Sequence, residues 1–365
     1  MGTGSRDGLP GNLVSRTVGS PRWWAIVDVM EVALLGVGIW GQHAWLPPLV
    51  RLAAAGTLRL TAVDLPESPS ALKPESRLLE TAVMRGHATY RSWNERKGLS
   101  DAQLAIIAVP ARKHLEVLKG LLAASPRICR VICEKPGGDS LAEFEQMTSL
   151  CERRRIDLLV VDHYLLCDPI RSLLLGHRRP EGIDEVERIE AYLLETRADG
   201  PAQDANLDML VHVVNLLHTL YPHSRLVPFE ARFAQALDRP HASVTHAWVR
   251  GTLRHSRREI PVWIEVGKQM REDRKRLVLR QSAPKRDLRF ELGSGSLPNV
   301  AQEPYTGILD RAISAVPSSN VRLPVGVLAP TEALRTWEEL EAVRRIATTA
   351  RRYRAGKPRT PPRFA

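Results

Sequence analysis

The chain has few cysteines, no long apolar run and no repeat, and each absence removes a class of protein. Its 365 residues include four cysteines, Cys129, Cys133, Cys151 and Cys167. None of them forms a CxxC pair, so neither a zinc ribbon nor a disulfide framework is suggested, and a reducing, cytoplasmic compartment is expected. No stretch approaches the roughly 20 uninterrupted apolar residues of a membrane span, which predicts a soluble chain with no membrane partner. Residues 1–22 are rich in Gly, Ser, Arg and Pro but lack the apolar core and small-residue cleavage site of a secretory signal, and residues 1–25 read as a disordered extension. No internal repeat or sustained heptad is visible.

What the sequence does have is a basic excess, with a formal net charge of +11. Clustered Lys and Arg would suggest nucleic acid, but here much of the excess lies in the C-terminal "RRIATTARRYRAGKPRTPPRFA", which ends in a basic tail at 351–365, and in "RHSRREIPVWIEVGKQMREDRKRLVLRQ", where charges alternate with apolar residues as on the wet face of a sheet. Nucleic acid is therefore not expected as a partner, and an anionic small substrate is compatible with the charge.

A chain of this length usually divides in two. Up to about residue 165, strand-like runs alternate with helical ones: "EVALL", "HAWLPPLVRLAAAG" (a helix broken near Pro47 and Pro48), "LRLTAVDLP", "AQLAIIAVP", "KHLEVLKGLLAAS", "RVICEKP", "SLAEFEQMTSLCERRR" and "DLLVVDHY". Such alternation implies a doubly wound parallel sheet over residues 26–165. Over 166–350 the texture becomes strand-rich, with "EVERIEAYLLET", "HASVTHAWVRGTL", "IPVWIEVGK", "KRLVLRQ" and "RDLRFELG" around the helical "ANLDMLVHVVNLLHTLYP". The fold class is thus α/β, an N-terminal Rossmann-type domain followed by an α+β domain on a largely antiparallel sheet. Trp248, Val262, Ile264, Leu277 and Leu279 sit among polar neighbours and suggest a face for a homodimer or homotetramer, unless they cover the domain's own helices.

"GVGIWG" follows the first strand and opens the first helix. Gly36 allows the tight turn, Gly38 lets backbone approach a pyrophosphate, Gly41 permits helix to pack on strand, and the helix N-terminus faces the anion. Ile39 and Trp40 lie within this loop. Asp64 closes the second strand, where a carboxylate accepts hydrogen bonds from an adenine ribose and repels a 2'-phosphate. The pattern predicts a dinucleotide site that takes NAD in preference to NADP, with no metal.

Three later stretches resemble known families. "AIIAVPARKHLEVLKGLLAASPRICRVICEKPGGDSLAEFEQM" is similar to the segment of the Gfo/Idh/MocA oxidoreductases that ends in Glu-Lys-Pro, here Glu134, Lys135 and Pro136. "LDMLVHVVNLL" resembles that family's Asp-x-Gly-x-His helix through Asp208 and His212, with Leu210 in place of Gly. "VVDHYLLCDPIRSLLL" resembles the Asp-His-Tyr-Leu-Gly-Lys signature of glucose-6-phosphate dehydrogenases, but Leu166 and Cys167 replace Gly and Lys. The resemblance implies a dinucleotide pocket lined by Val109, Pro110, His114, Glu134 and Lys135. It also implies oxidation of a sugar, a cyclitol or a sugar derivative, phosphorylated or not.

Such an oxidation needs a base for the hydroxyl proton. His212 is the candidate, with Asp208 one helical turn earlier to orient it or meet substrate, and Lys135 at a strand end to hold the substrate oxygen. His163, Tyr164 and Arg197 are candidate substrate contacts. Two other readings stay open on sequence alone: transient use of a held NAD for epimerisation or elimination, and a non-catalytic NAD-binding regulator.

Overall fold

The computed structural model describes residues 29–38, 40–64, 77–167, 170, 172, 182–196, 209–235, 244–268, 270, 273–282, 286–292, 305, 307–309 and 326–349. The expected extension and basic tail lie outside them, as do Ile39, Arg197 and Asp208.

Seven strands form the first sheet: β1 (Met30–Leu35), β2 (Leu58–Asp64), β3 (Ala88–Ser92), β4 (Leu104–Ile107), β5 (Arg130–Glu134), β6 (Asp157–Val161) and β13 (Val327–Leu328). Their order is β13-β6-β5-β4-β1-β2-β3; β1 to β6 run parallel, and β13 alone is antiparallel, against β6. This is the doubly wound order, with its topological switch point between β1 and β4. All four residues of the apolar β4 and all five of β5, including Arg130 and Glu134 at its ends, are buried, as strands must be when helices cover both faces of a parallel sheet. Those helices are α1 (Leu46–Ala54), α2 (Arg77–Met84), α3 (His114–Ala124) and α4 (Leu141–Arg153). At the start of α4 the Ser140 side chain accepts from the Glu143 amide (3.2 Å) and the Glu143 carboxylate accepts from the Asp139 amide (3.0 Å), which satisfies donors a helix start would otherwise leave bare.

Pro47 and Pro48 do not break a helix. They stand in the first turn of α1, after a wide helical turn over Gly41–Trp45, at positions where a missing N–H costs nothing.

The second sheet has six strands, β7 (Val186–Glu195), β8 (Arg225–Gln235), β9 (Val244–His255), β10 (Arg258–Lys268), β11 (Arg274–Gln281) and β12 (Leu288–Glu291), in the order β12-β11-β7-β10-β9-β8. Only the β7–β10 pairing is parallel. Helix α5 (Val211–Leu220) and helix α6 (Pro330–Thr349) pack against its inner face.

Val262, Ile264, Leu277 and Leu279 belong to that inner face and are fully or nearly fully buried in the chain's own core, so they are not an exposed association surface. The alternation of side chains along a strand sends their charged neighbours outward. There Arg254 pairs with Glu259 in solvent, as the basic stretch suggests, and Arg280 pairs with the largely buried Glu190. No helix among the described residues is long and apolar enough to cross a membrane.

Candidate active site

The functional side chains gather at the carboxyl edge of the first sheet. After β1 the chain turns at Gly36, whose φ of +102° suits glycine and whose Cβ would strike Val109 at 2.7 Å and the Ala108 backbone at 2.8 Å. A Cβ on Gly41 would lie 2.1 Å from the Gly36 carbonyl oxygen, so the helical turn can approach the strand only because both residues are glycine. In front of Gly38 no atom of the described residues lies within 4 Å of an added Cβ. The loop thus keeps open the space in which a pyrophosphate would rest against backbone. Asp64, buried, ends β2 opposite Ser92 of β3. These features fit a dinucleotide.

Glu134 and Lys135 follow from the end of β5, and the Lys135–Pro136 peptide is cis. Glu134 is 5% exposed; its Oε1 accepts from Trp40 Nε1 (2.6 Å) and Trp45 Nε1 (2.8 Å). Its Oε2 has no hydrogen-bond partner among the described residues. Burial pushes this carboxyl up to about 7, against the downward pull of the two indole bonds and the Lys135 charge. Tyr305 packs edge-on against Trp45, with ring centroids 4.8 Å apart. Lys135 is half-buried, its amide bonded to the Val161 carbonyl of β6 at 3.1 Å, and Pro136 offers its carbonyl to Trp337 Nε1 of α6 at 2.8 Å.

Val109 and Pro110 follow β4 beside this edge. His114 lies behind them, fully buried, with Nε2 bonded to the Val109 carbonyl (2.8 Å) and Nδ1 facing Cys133 Sγ (3.2 Å). Burial lowers the imidazole to about 4 and raises the Cys133 thiol, so both are neutral and the thiol donates to Nδ1. His114 therefore supports the Val109–Pro110 loop from within the core.

The last group is built on the end of β6. Asp162, fully buried, accepts from the Tyr164 amide (3.0 Å) and His212 Nδ1 (2.6 Å) on Oδ1, and from Asn215 Nδ2 (2.6 Å) on Oδ2. Burial alone would raise this carboxyl, but the His212 charge and these hydrogen bonds hold it well below the usual carboxylate range. A carboxylate only accepts, so His212 carries a proton on Nδ1 and, whenever the ring is neutral, its lone pair is on Nε2. His163 meets His212 edge to face at 4.6 Å, Tyr164 lies 4.5 Å from the same ring, and Trp40 of the glycine loop lies 4.6 Å from His163. An unbroken line of rings thus joins the glycine loop to His212.

The structure therefore brings Lys135, Glu134, Trp40, His163, Tyr164 and His212 to one edge. It also supplies a residue that sequence reading passed over: Asp162 pairs with His212. The signal was present, since Asp162 opens the "DHY" stretch, but its partner is 50 positions away. Asp162, His163 and His212 offer ligand atoms within 4.8 Å of one another, a spacing compatible with a metal ion. Both Asp162 oxygens are already engaged in short hydrogen bonds, however, which favours a carboxylate-oriented imidazole over a metal centre.

A doubly wound sheet with an open glycine cradle and an acid closing β2 is the architecture of a dinucleotide-binding domain, and an Asp–His pair stands at its carboxyl edge. Residues 30–163 match the model of the Gfo/Idh/MocA family, described as an oxidoreductase family with an NAD-binding Rossmann fold. The fold of UDP-N-acetylglucosamine 3-dehydrogenase from Acidithiobacillus ferrooxidans is similar, with a TM-score of 0.61 at 15% identity over 88% of this chain and 98% of that one. So is that of scyllo-inositol dehydrogenase from Lactobacillus casei, solved with NAD(H) and scyllo-inositol, with a TM-score of 0.60 at 12% identity and the same coverage. A 3-ketoreductase from Actinomadura kijaniata, solved with TDP-benzene and NADP, gives 0.61 at 15% identity, again over 88% and 98%. At these identities the likeness is one of fold. No curated protein matches the chain in sequence.

Proposed function

We propose that this protein is an NAD-dependent dehydrogenase that interconverts a hydroxyl and a keto carbon of a sugar, a cyclitol or a nucleotide-linked sugar. The observation that carries the reading is the buried Asp162–His212 pair, at 2.6 Å, placed at the same sheet edge as Lys135 and the open glycine cradle. The substrate class rests on two of the similar structures, a UDP-N-acetylglucosamine 3-dehydrogenase and a scyllo-inositol dehydrogenase solved with scyllo-inositol.

Bound NAD supplies the hydride acceptor. The backbone at Gly38 and the N-terminal turn at Gly41 would hold its pyrophosphate, and the Asp64 carboxylate would take the adenine ribose while disfavouring a 2'-phosphate. His212 takes the hydroxyl proton on Nε2, and the Asp162 carboxylate stabilises the resulting imidazolium from Nδ1. Lys135 holds the substrate oxygen and offsets charge that develops on it, a role in which a preorganised cation is worth most when water is excluded. His163, Tyr164, Arg197 and Asp208 are substrate contacts in this reading.

Turnover of NAD with scyllo-inositol, myo-inositol and UDP-N-acetylglucosamine, followed by NADH absorbance, tests the assignment. His212→Ala and Lys135→Ala should keep NAD affinity while losing roughly a hundredfold to ten-thousandfold in rate. Activity of the unmodified enzyme should rise with pH through the titration of the base. Wild-type turnover in both variants would overturn the mechanism.

A further inference from the structure

Helix α6 reaches the site from the far end of the chain and touches both of its working groups with adjacent residues. Thr336 Oγ1 donates to Asn215 Oδ1 (2.7 Å), Asn215 Nδ2 donates to Asp162 Oδ2 (2.6 Å), and Asp162 Oδ1 accepts from His212 Nδ1 (2.6 Å). The next residue, Trp337, donates to the carbonyl of Pro136, directly after Lys135. Thr336, Asn215, Asp162, His212 and Trp337 are each no more than 3% exposed.

The direction of this chain is fixed by chemistry. Asp162 is acceptor-only when ionised, so Asn215 must present its NH2 to it; the Asn215 oxygen must then face a donor, and the Thr336 hydroxyl is that donor. Turning the amide over would set oxygen against oxygen. Thr219 Oγ1, bonded to the Asn215 backbone carbonyl at 2.8 Å, ties the same turn of α5.

We propose that Thr336 and Asn215 are positioning residues for the base: together they fix the Asp162 carboxylate in its rotamer and ionised state, and so fix the tautomer and proton affinity of His212. The assignment rests on His212 as the proton acceptor, but it makes a claim about the imidazole that holds whatever the substrate. Hydrogen bonds along a buried chain polarise one another, so loss of the distal hydroxyl should be felt at the ring. Removing a donor from an anion raises the proton affinity of the pair it belongs to. Among the described residues, Asp162, His163 and Tyr164 face His212, and all three remain in the variants below.

The test is NMR of the full chain labelled with 15N-histidine, with the His212 signal assigned by its loss in His212→Gln. The unmodified protein should show the Nδ1–H tautomer. Asn215→Leu should raise the midpoint of the Asp162–His212 pair by roughly half a pH unit or more, about a threefold gain in proton affinity, and Thr336→Val should move it the same way by less. Thr336→Ser, which restores the hydroxyl, should return it to the unmodified value. Should Asn215→Leu not fold, the Thr336 pair of variants decides alone. In turnover, Thr336→Val should lower kcat/KM about tenfold with NAD affinity unchanged, and the acidic limb of the pH profile should shift upward. A purely structural role would lower thermal stability and leave tautomer, midpoint and limb in place, and that result in folded variants overturns the proposal. If no dehydrogenase activity is found but the midpoint moves as stated, the functional reading fails and the positioning chain stands.

Discussion

Glu134→Gln provides a quantitative test of the electrostatics beneath the glycine loop. Burial holds the Glu134 carboxyl at about 7 against an ordinary value of 4.5. An acid whose pKa is raised by folding contributes no penalty below its unfolded value, where both states are protonated. Between 4.5 and about 7 the unfolded chain ionises while the folded chain keeps its proton, so stability falls as pH rises; above 7 the full penalty is present. At about 1.4 kcal/mol per pH unit, the gap corresponds to ~3 kcal/mol at pH 8.5 and less than ~1 kcal/mol at pH 5. Glutamine keeps an oxygen for the Trp40 and Trp45 indoles and cannot ionise. Glu134→Gln should therefore unfold later than the unmodified protein at pH 8.5, by ~2–3 kcal/mol more than any difference at pH 5. Denaturant titration monitored by tryptophan fluorescence, which reports on the same indoles, measures both. A stability difference independent of pH would refute the reasoning, because the penalty can only come from an ionisation that folding disfavours.

Glycine substitutions in the loop should separate folding from binding. Gly38→Ala meets open space and should leave thermal stability almost unchanged while weakening NAD in calorimetric titration, whereas Gly41→Ala, whose Cβ would stand 2.1 Å from the Gly36 oxygen, should lower the melting temperature as well. For Asp64→Ser, the preference for NAD over NADP should narrow, since the carboxylate that repels a 2'-phosphate is gone; equal affinities of the unmodified protein for the two cofactors would remove the basis of that expectation.

Local signals explain which parts of the molecule could be read before the structure. The glycine loop and the alternation through β6 are legible because each depends on spacing within one element or one turn, and Glu134, Lys135 and His212 are picked out by the resemblance of their short motifs to a known family. Strand β8 is harder to see: Pro228 interrupts its pattern and its register with β9 shifts between Pro228 and Glu230, so no clean alternation survives. Helix α6 begins at Pro330 and runs toward a basic tail, so composition draws attention to charge and away from the buried face that carries Ala333, Trp337, Leu340 and Val343.

The groups that complete the site depend on topology instead. Asp162 meets His212 only because β6 ends beside α5, and Thr336 meets Asn215 only because the chain, after finishing the second sheet, returns through β13 to the edge of the first and lays α6 across both. Those approaches join residues 50 and 121 positions apart. A periodicity window sees a threonine and an asparagine in amphipathic helices, where each would ordinarily be a satisfied core polar group. What distinguishes them is the single direction in which their donors and acceptors can be joined, and that direction ends on the imidazole.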